Sequence, residues 1–338
     1  MIKRILGAVF WQKKPVHLIL HVTHRCNLRC KTCFVDFEKT EQGELTLAKI
    51  EEIASYLNKL IWLNIGGGEP FLRQDLPRIC AAFDTKSLSI PTNGFDPHLI
   101  KEMVKEIKAR IKAELTIALS IDGFENTNDA IRESGSFKKA IKTLESLKTV
   151  KGIHIKLNTV LCERNYNELI EFMKFIRKFD LDFHSIIFRR GSKNAAHSFE
   201  RPAYEKLCRI KGDIFGIWDT YDYGVKNIKK EILKKYQRLM YEASLQVIKE
   251  NRQIPDCLAN KFHLVIWPNG DTSCCETLKP FGNICGEKIN LLLKSNNAKA
   301  QRNFIKAKRC YCHHNCNLVD NFFLNPLQYP RLLSGACK

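Results

Sequence analysis

The chain has 338 residues, 55 of them Lys or Arg against 36 Asp or Glu, for a formal net charge of +19, and it contains 14 cysteines. That length fits one large α/β domain with a smaller addition. Disulfide-dense secreted scaffolds are usually much shorter, nothing at the N-terminus reads as a cleavable signal, and no apolar run approaches the roughly 18 to 20 residues of a spanning helix; reduced, metal-binding thiols in a cytoplasmic protein are the expectation.

The first sixteen residues mix apolar and basic positions and contain no acid. They suit a short helix, packed under the main domain or lying peripherally on an anionic membrane. From His17 onward, strand-like runs alternate with amphipathic segments six times. The strands are expected at His17 to Thr23, Ile61 to Gly66, Ser87 to Thr92, Leu115 to Ile121, His154 to Leu161 and Phe183 to Phe188. Such alternation implies parallel strands joined by crossover helices, and it leaves an open doubly wound sheet and a barrel equally possible.

Directly after the first strand come Cys26, Cys30 and Cys33, spaced C-x3-C-x2-C. A closed tetrahedral metal site takes four protein ligands, so three crowded thiols suggest a centre with one position open. A zinc knuckle or three unrelated buried thiols is the plainer alternative.

After about residue 191 the strand pattern stops. Glu200 to Arg252 read as charged helices whose aromatic residues, Trp218, Tyr221, Tyr223, Tyr236 and Tyr241, suit packing and a cover over the domain's mouth. The basic runs Lys226 to Lys235 and Lys299 to Arg309 read as solvated helix faces. Cysteines then return at Cys257, Cys274, Cys275, Cys285, Cys310, Cys312, Cys316 and Cys337, with a hairpin signal at Trp267-Pro268-Asn269-Gly270-Asp271 that folds Cys257 and Cys275 toward each other. Cys80, Cys162 and Cys208 read as small buried hydrophobes. The expected divisions are 1–16 as a basic segment, 17–195 as the core, 196–253 as a helical connection and 254–338 as a cysteine-rich extension.

The C-x3-C-x2-C run, together with Gly66-Gly67-Gly68-Glu69-Pro70 after the second strand, resembles the radical S-adenosylmethionine (SAM) enzymes. The resemblance implies a partial (β/α)6 barrel of TIM type in the α/β class, with its active site at the C-terminal ends of the strands. It implies that Cys26, Cys30 and Cys33 hold a 4Fe-4S cluster whose fourth iron is chelated by SAM. One electron then cleaves SAM to methionine and a 5'-deoxyadenosyl radical that takes hydrogen from a substrate carbon. It further assigns cofactor contacts to Gly67, Gly68 and Glu69, with the glycines letting backbone approach the methionine amino group. Asn93 would lie near the cofactor, Ser120 and Asp122 at its ribose or methionine, Arg132 at its carboxylate, and Asn158 at the end of the fifth strand. Many members carry an aromatic residue just before the third cysteine; here that position is Thr32, and Phe34 follows.

The pattern C-x12-G-x4-C from Cys257, then Cys310-Tyr311-Cys312-His313-His314-Asn315-Cys316, looks like the SPASM or twitch extension of the same family. It departs from the full distal run of four cysteines. The count favours one auxiliary 4Fe-4S cluster, held by Cys257, Cys275 and two of Cys310, Cys312 and Cys316. A second cluster using Cys337, or a zinc site using His313 or His314, is the alternative. By the same resemblance the substrate is a peptide, protein or small metabolite, with a membrane lipid or polyprenyl compound as runner-up, and the electron donor is a flavodoxin or ferredoxin. A non-catalytic, basic zinc or iron-sulfur protein that binds nucleic acid is the contrasting class; it rests on composition alone, and no nucleic-acid partner is expected.

Overall fold

The computed structural model describes residues 2–11, 14–35, 43–189, 200–313 and 315–333. The Cys337 and His314 alternatives lie outside them. Nine strands form one sheet: β1 (His17–Thr23), β2 (Leu60–Gly67), β3 (Thr85–Thr92), β4 (Glu114–Ser120), β5 (Ile153–Leu161), β6 (Phe183–Phe188), β7 (His263–Ile266), β8 (Asp271–Ser273) and β9 (Gly282–Asn283). Their order is β6-β5-β4-β3-β2-β1-β7-β8-β9, so the sheet is open and not a closed barrel. Strands β1 to β6 run parallel in sequence order, the arrangement of a partial (β/α)6 barrel. All seven residues of β1 are buried, as expected of a parallel strand covered on both faces.

The crossover helices are α2 (Leu47–Tyr56), α3 (Leu76–Ala81), α4 (Pro97–Arg110), α5 (Glu125–Ile131), α6 (Ser136–Leu147) and α7 (Leu169–Arg177), with α1 (Ile2–Trp11) preceding β1. Helix α4 shows why they form and where they pack. Asp96 caps it by accepting from the Leu99 amide at 3.0 Å, and Pro97 fills the first turn, where no amide donor is needed. Ile100, Met103, Val104 and Ile107 then fall on one buried face at helical spacing.

The C-terminal cysteine-rich part continues the main sheet. Strand β7 pairs parallel with β1, setting His17 beside His263, and β8 and β9 follow as antiparallel strands. Asp320, in helix α13 (Asn315–Phe323) and inaccessible to solvent, accepts from the Nδ1 of His17 at 2.8 Å and of His263 at 2.9 Å. A buried carboxylate needs such donors, and these tie α13 across β1 and β7.

Helices α8 (Tyr204–Asp219) and α9 (Ile228–Glu250) follow β6 in the chain. Trp218 is buried and donates its indole N–H to the His184 carbonyl at 2.8 Å, so this aromatic packs against β6. Helix α1 buries Ala8 against Val16, Ile61, Phe262 and Leu324 under the sheet. Its other side exposes Leu6, Phe10 and Trp11, and Arg4 pairs with Asp84 at 2.7 Å. No helix of the described residues is long and apolar enough to cross a membrane.

Candidate functional site

The loop after β1 brings three thiols to the C-terminal end of the sheet. Backbone pins hold it there: the Lys31 amide donates to Ile131 O at 2.8 Å, Gly68 N to Thr23 O at 2.9 Å, and Glu69 N to Arg25 O at 2.9 Å. Within the loop, the Leu28 amide points at Cys26 Sγ (3.5 Å) and the Val35 amide at Cys33 Sγ (3.4 Å). Burial pushes the Cys26 thiol up to about 11 and the Cys30 thiol up to about 12. Such thiols stay protonated in the bare protein and become good ligands once a cation takes the proton's place.

The glycine run also makes room for the cysteine loop. A Cβ on Gly68 would lie 2.2 Å from Arg25 O, and one on Gly67 would lie 2.3 Å from Thr23 O, at a φ of +130° that side chains rarely adopt. The space freed by these glycines is filled by the backbone of the cysteine loop. A Gly67→Ala chain therefore must push the loop off the end of β2. The expected cost is about 3 kcal/mol or more, combining backbone strain and overpacking, read as a lower melting temperature and a weakened ability to assemble iron at the three thiols.

Glu69 is buried and accepts from the Asn93 amide (2.8 Å), the Thr92 hydroxyl (2.9 Å) and the Phe71 amide (3.3 Å). Burial still pushes its carboxyl up to about 7. The Asn93 side chain donates to Asn27 Oδ1 at 2.7 Å and reaches 3.9 Å from Cys26 Sγ. Arg132 sits between Cys30 Sγ (3.8 Å) and Asp122 (2.9 Å). Asp122 is fully buried and also accepts from the Val160 amide at 2.7 Å, so it stands behind Arg132 and does not line the cavity.

The three thiols open onto a cavity of about 510 Å³ enclosed by the concave face of the sheet, within the roughly 300–1,000 Å³ usual for small-ligand sites. Phe34, Gly67, Gly68, Glu69 and Asn93 line its thiol end, and Ser120, Arg132 and Asn158 its strand-end wall. Five buried polar atoms of its lining residues, His21 Nδ1, Arg132 Nε, Asn158 Oδ1, Ser185 Oγ and Gln237 Oε1, have no hydrogen-bond partner among the described residues. Free polar atoms on a roomy cavity wall are what a polar ligand would satisfy.

Further residues of this cavity carry no motif. Lys156 projects inward from β5 two residues before Asn158, on the same face by strand alternation, and burial pushes its ammonium down to about 8. That alternation was the available signal. Glu276 comes from the extension and meets His21 Nε2 at 3.1 Å, while the His21 ring stacks on Trp267 with centroids 4.2 Å apart. Only tertiary structure brings Glu276 there.

The extension gathers a second thiol group. Cys312, Cys275 and Cys310 lie near enough to Cys257 to act on its charge. Asn317 donates to Cys275 Sγ at 3.0 Å and to Cys312 Sγ at 3.6 Å, and the Cys312 amide is held by Gln253 Oε1 at 2.9 Å. Cys316 instead lines the main cavity, near Lys156 and Tyr236. Cys274 is buried beside Arg302, and Cys285 is exposed.

Comparison with known proteins agrees with this arrangement. Residues 20–176, which contain the three thiols, the glycine run and all the strand-end residues above, match the Radical SAM superfamily. The mycofactocin maturase MftC of Mycobacterium tuberculosis is 31% identical over 165 residues, covering 47% of this chain and 41% of that protein. The pre-heme d1 synthase of Dinoroseobacter shibae is 35% identical over 212 residues, covering 57% of this chain and 50% of that one. The chain thus spans about half the length of the curated relatives it matches. Among solved structures, anSMEcpe with bound AdoMet superposes with a TM-score of 0.60 at 16% identity over 94% of this chain and 98% of its own. Streptococcus suis SuiB bound to S-adenosylmethionine gives 0.61 at 18% identity over 84% and 66%. These likenesses show a shared fold. Residues 20–176, with their three-thiol loop and open parallel sheet, thus form a domain of the radical SAM superfamily.

Proposed function

We propose that this chain binds SAM at a 4Fe-4S cluster held by Cys26, Cys30 and Cys33 and abstracts hydrogen from a substrate carbon inside the cavity. The observation that carries this reading is the convergence of three thiols from one short loop on a cavity whose walls include Glu69, Asn93 and Arg132. The residues fit the group on their own chemistry. Three soft donors leave one iron position open, and Arg132 beside Cys30 offers a planar cation to a carboxylate. The unpartnered Asn158 Oδ1 is an acceptor for a sugar hydroxyl. When bound, the cluster and SAM supply the electron and the 5'-deoxyadenosyl radical.

The protein's part is orientation and exclusion of water. Asp122 fixes Arg132 from behind, Glu69 fixes Asn93 against the cysteine loop, and α9 closes the cavity's far side with Tyr236, Gln237 and Met240. Glu276, hydrogen-bonded to His21 in the same cavity, is placed to accept a proton from an oxidised substrate. A second 4Fe-4S cluster on Cys257, Cys275, Cys310 and Cys312 accounts for the other thiol group and offers a place for an electron leaving the substrate. The enclosed cavity suits one residue of a peptide or a small metabolite. The structurally similar SuiB is seen bound to the precursor peptide SuiA, and the relatives include a pre-heme d1 synthase, which supports both.

The test is anaerobic reconstitution with iron and sulfide, reduction with dithionite and addition of SAM. Formation of 5'-deoxyadenosine is expected even without substrate; iron spectra that do not respond to SAM, or zinc at the three thiols of anaerobically purified protein, would overturn the reading.

A further inference from the structure

The inward positions of β2 to β6 are unusual for a parallel barrel. Such interiors are ordinarily filled by branched aliphatic side chains, whereas here Asn64, Ser89, Thr116, Ser120, Asn158 and Ser185 line the space. One cation stands in this polar floor. Lys156 neighbours Ala118 on β4 and Phe183 on β6 in register, and Asn158 and Ser185 pair one strand step nearer the thiols.

Among the described residues the other charged groups of the cavity already have a polar partner within the protein. Arg132 is paired with Asp122, Glu69 holds Asn93, Thr92 and Phe71, and Glu276 meets His21. Among the described residues Lys156 has no carboxylate partner, and its ionisable neighbours are the thiol of Cys316 and the ring of His184. An enclosed ammonium without a counter-charge is costly, and the cost is recovered when an anion arrives. The Ser185 hydroxyl, buried and without a partner, stands in the same wall as a second donor.

We propose that Lys156 anchors a carboxylate of the substrate at the floor of the cavity, below the position of SAM. This rests on the cavity being the substrate site of the proposed radical reaction. One ammonium and neutral hydroxyl donors suit a single negative charge. A phosphate dianion would meet too few cations here and would share the cavity with the carboxyl groups of Glu69 and Glu276. The chain's net charge of +19 favours the encounter with an anion. A carboxylate held at depth also fixes which carbon faces the thiol end, so the anchor sets regiochemistry as well as affinity.

The test uses three probes of one shape: benzoate, benzamide and phenyl phosphate. They are titrated by calorimetry into the reconstituted chain saturated with S-adenosylhomocysteine, which keeps them out of the carboxylate site of SAM. Benzoate should bind at least about tenfold more tightly than benzamide, and phenyl phosphate no more tightly than benzoate. Lys156→Met should reduce benzoate to the affinity of benzamide, while Lys156→Arg keeps a preference for the acid. Retained benzamide binding shows that each variant is folded. Equal binding of acid and amide by the wild-type chain, or a preference that survives in Lys156→Met, overturns the anchor; phenyl phosphate tighter by tenfold overturns the choice of carboxylate. Failure to form 5'-deoxyadenosine with the benzoate preference intact would instead sink the catalytic reading alone.

Discussion

A Cys30→Ala chain, reconstituted and reduced as the wild type is, should form no detectable 5'-deoxyadenosine from SAM, a loss of at least about a hundredfold, while its melting temperature moves little. The two halves of this expectation come from different physics. Removing one sulfur from a half-buried loop position deletes few packed contacts, at a cost of about 1 kcal/mol. Removing one of three ligands from an open centre leaves two, too few to hold a cluster with a vacant iron. Cys30 is the informative choice because it faces Arg132, whose guanidinium lies 3.8 Å from its sulfur. The loop itself is held by backbone bonds from Gly68, Glu69 and Lys31, none of which involves the Cys30 side chain, so it should keep its path. An alanine variant that still cleaves SAM would mean that the thiols are not the ligands. One that unfolds would mean that they are structural.

The core strands were legible because buried parallel strands carry near-continuous apolar runs. Five of the six expectations match their strands to within one residue at each end, β1 and β6 without any error, and the expectation for β3 starts two residues late because Thr85 extends the pairing. The three thiols were legible because their spacing is local. What escaped was non-local. Nothing in His263-Leu264-Val265-Ile266 says that it will add to the far side of β1, so the continuity of the sheet through the cysteine-rich part required the structure. The use of Gly67 and Gly68 was half legible. Their need for freedom was visible, but that the backbone of Thr23 and Arg25 fills the space was not. Glu276 and Lys156 reach the cavity through tertiary packing and strand alternation, and neither belongs to a motif.

The distal cysteines give the second large effect. The wild-type chain should assemble about eight irons, Cys312→Ser about four, and Cys316→Ser about eight, measured by iron analysis after anaerobic reconstitution. Sequence spacing leaves Cys310, Cys312 and Cys316 as competitors for two places beside Cys257 and Cys275. The geometry of α13 separates them. Successive residues on a helix point about 100° apart, so Asn317 and Cys316 cannot serve the same partner. Asn317 is turned to the sulfurs of Cys275 and Cys312, and its neighbour Cys316 is turned into the barrel cavity beside Lys156. With Cys310 the remaining group reaches four thiols, the number a closed cluster takes. With a cluster in place, the Asn317 amide would donate to two ligand sulfurs, a contact that would tune the cluster's potential without binding it. If Cys316→Ser lost the four irons and Cys312→Ser kept them, α13 would have to turn by about one residue on iron binding, and the Cys316 thiol would leave the neighbourhood of Lys156.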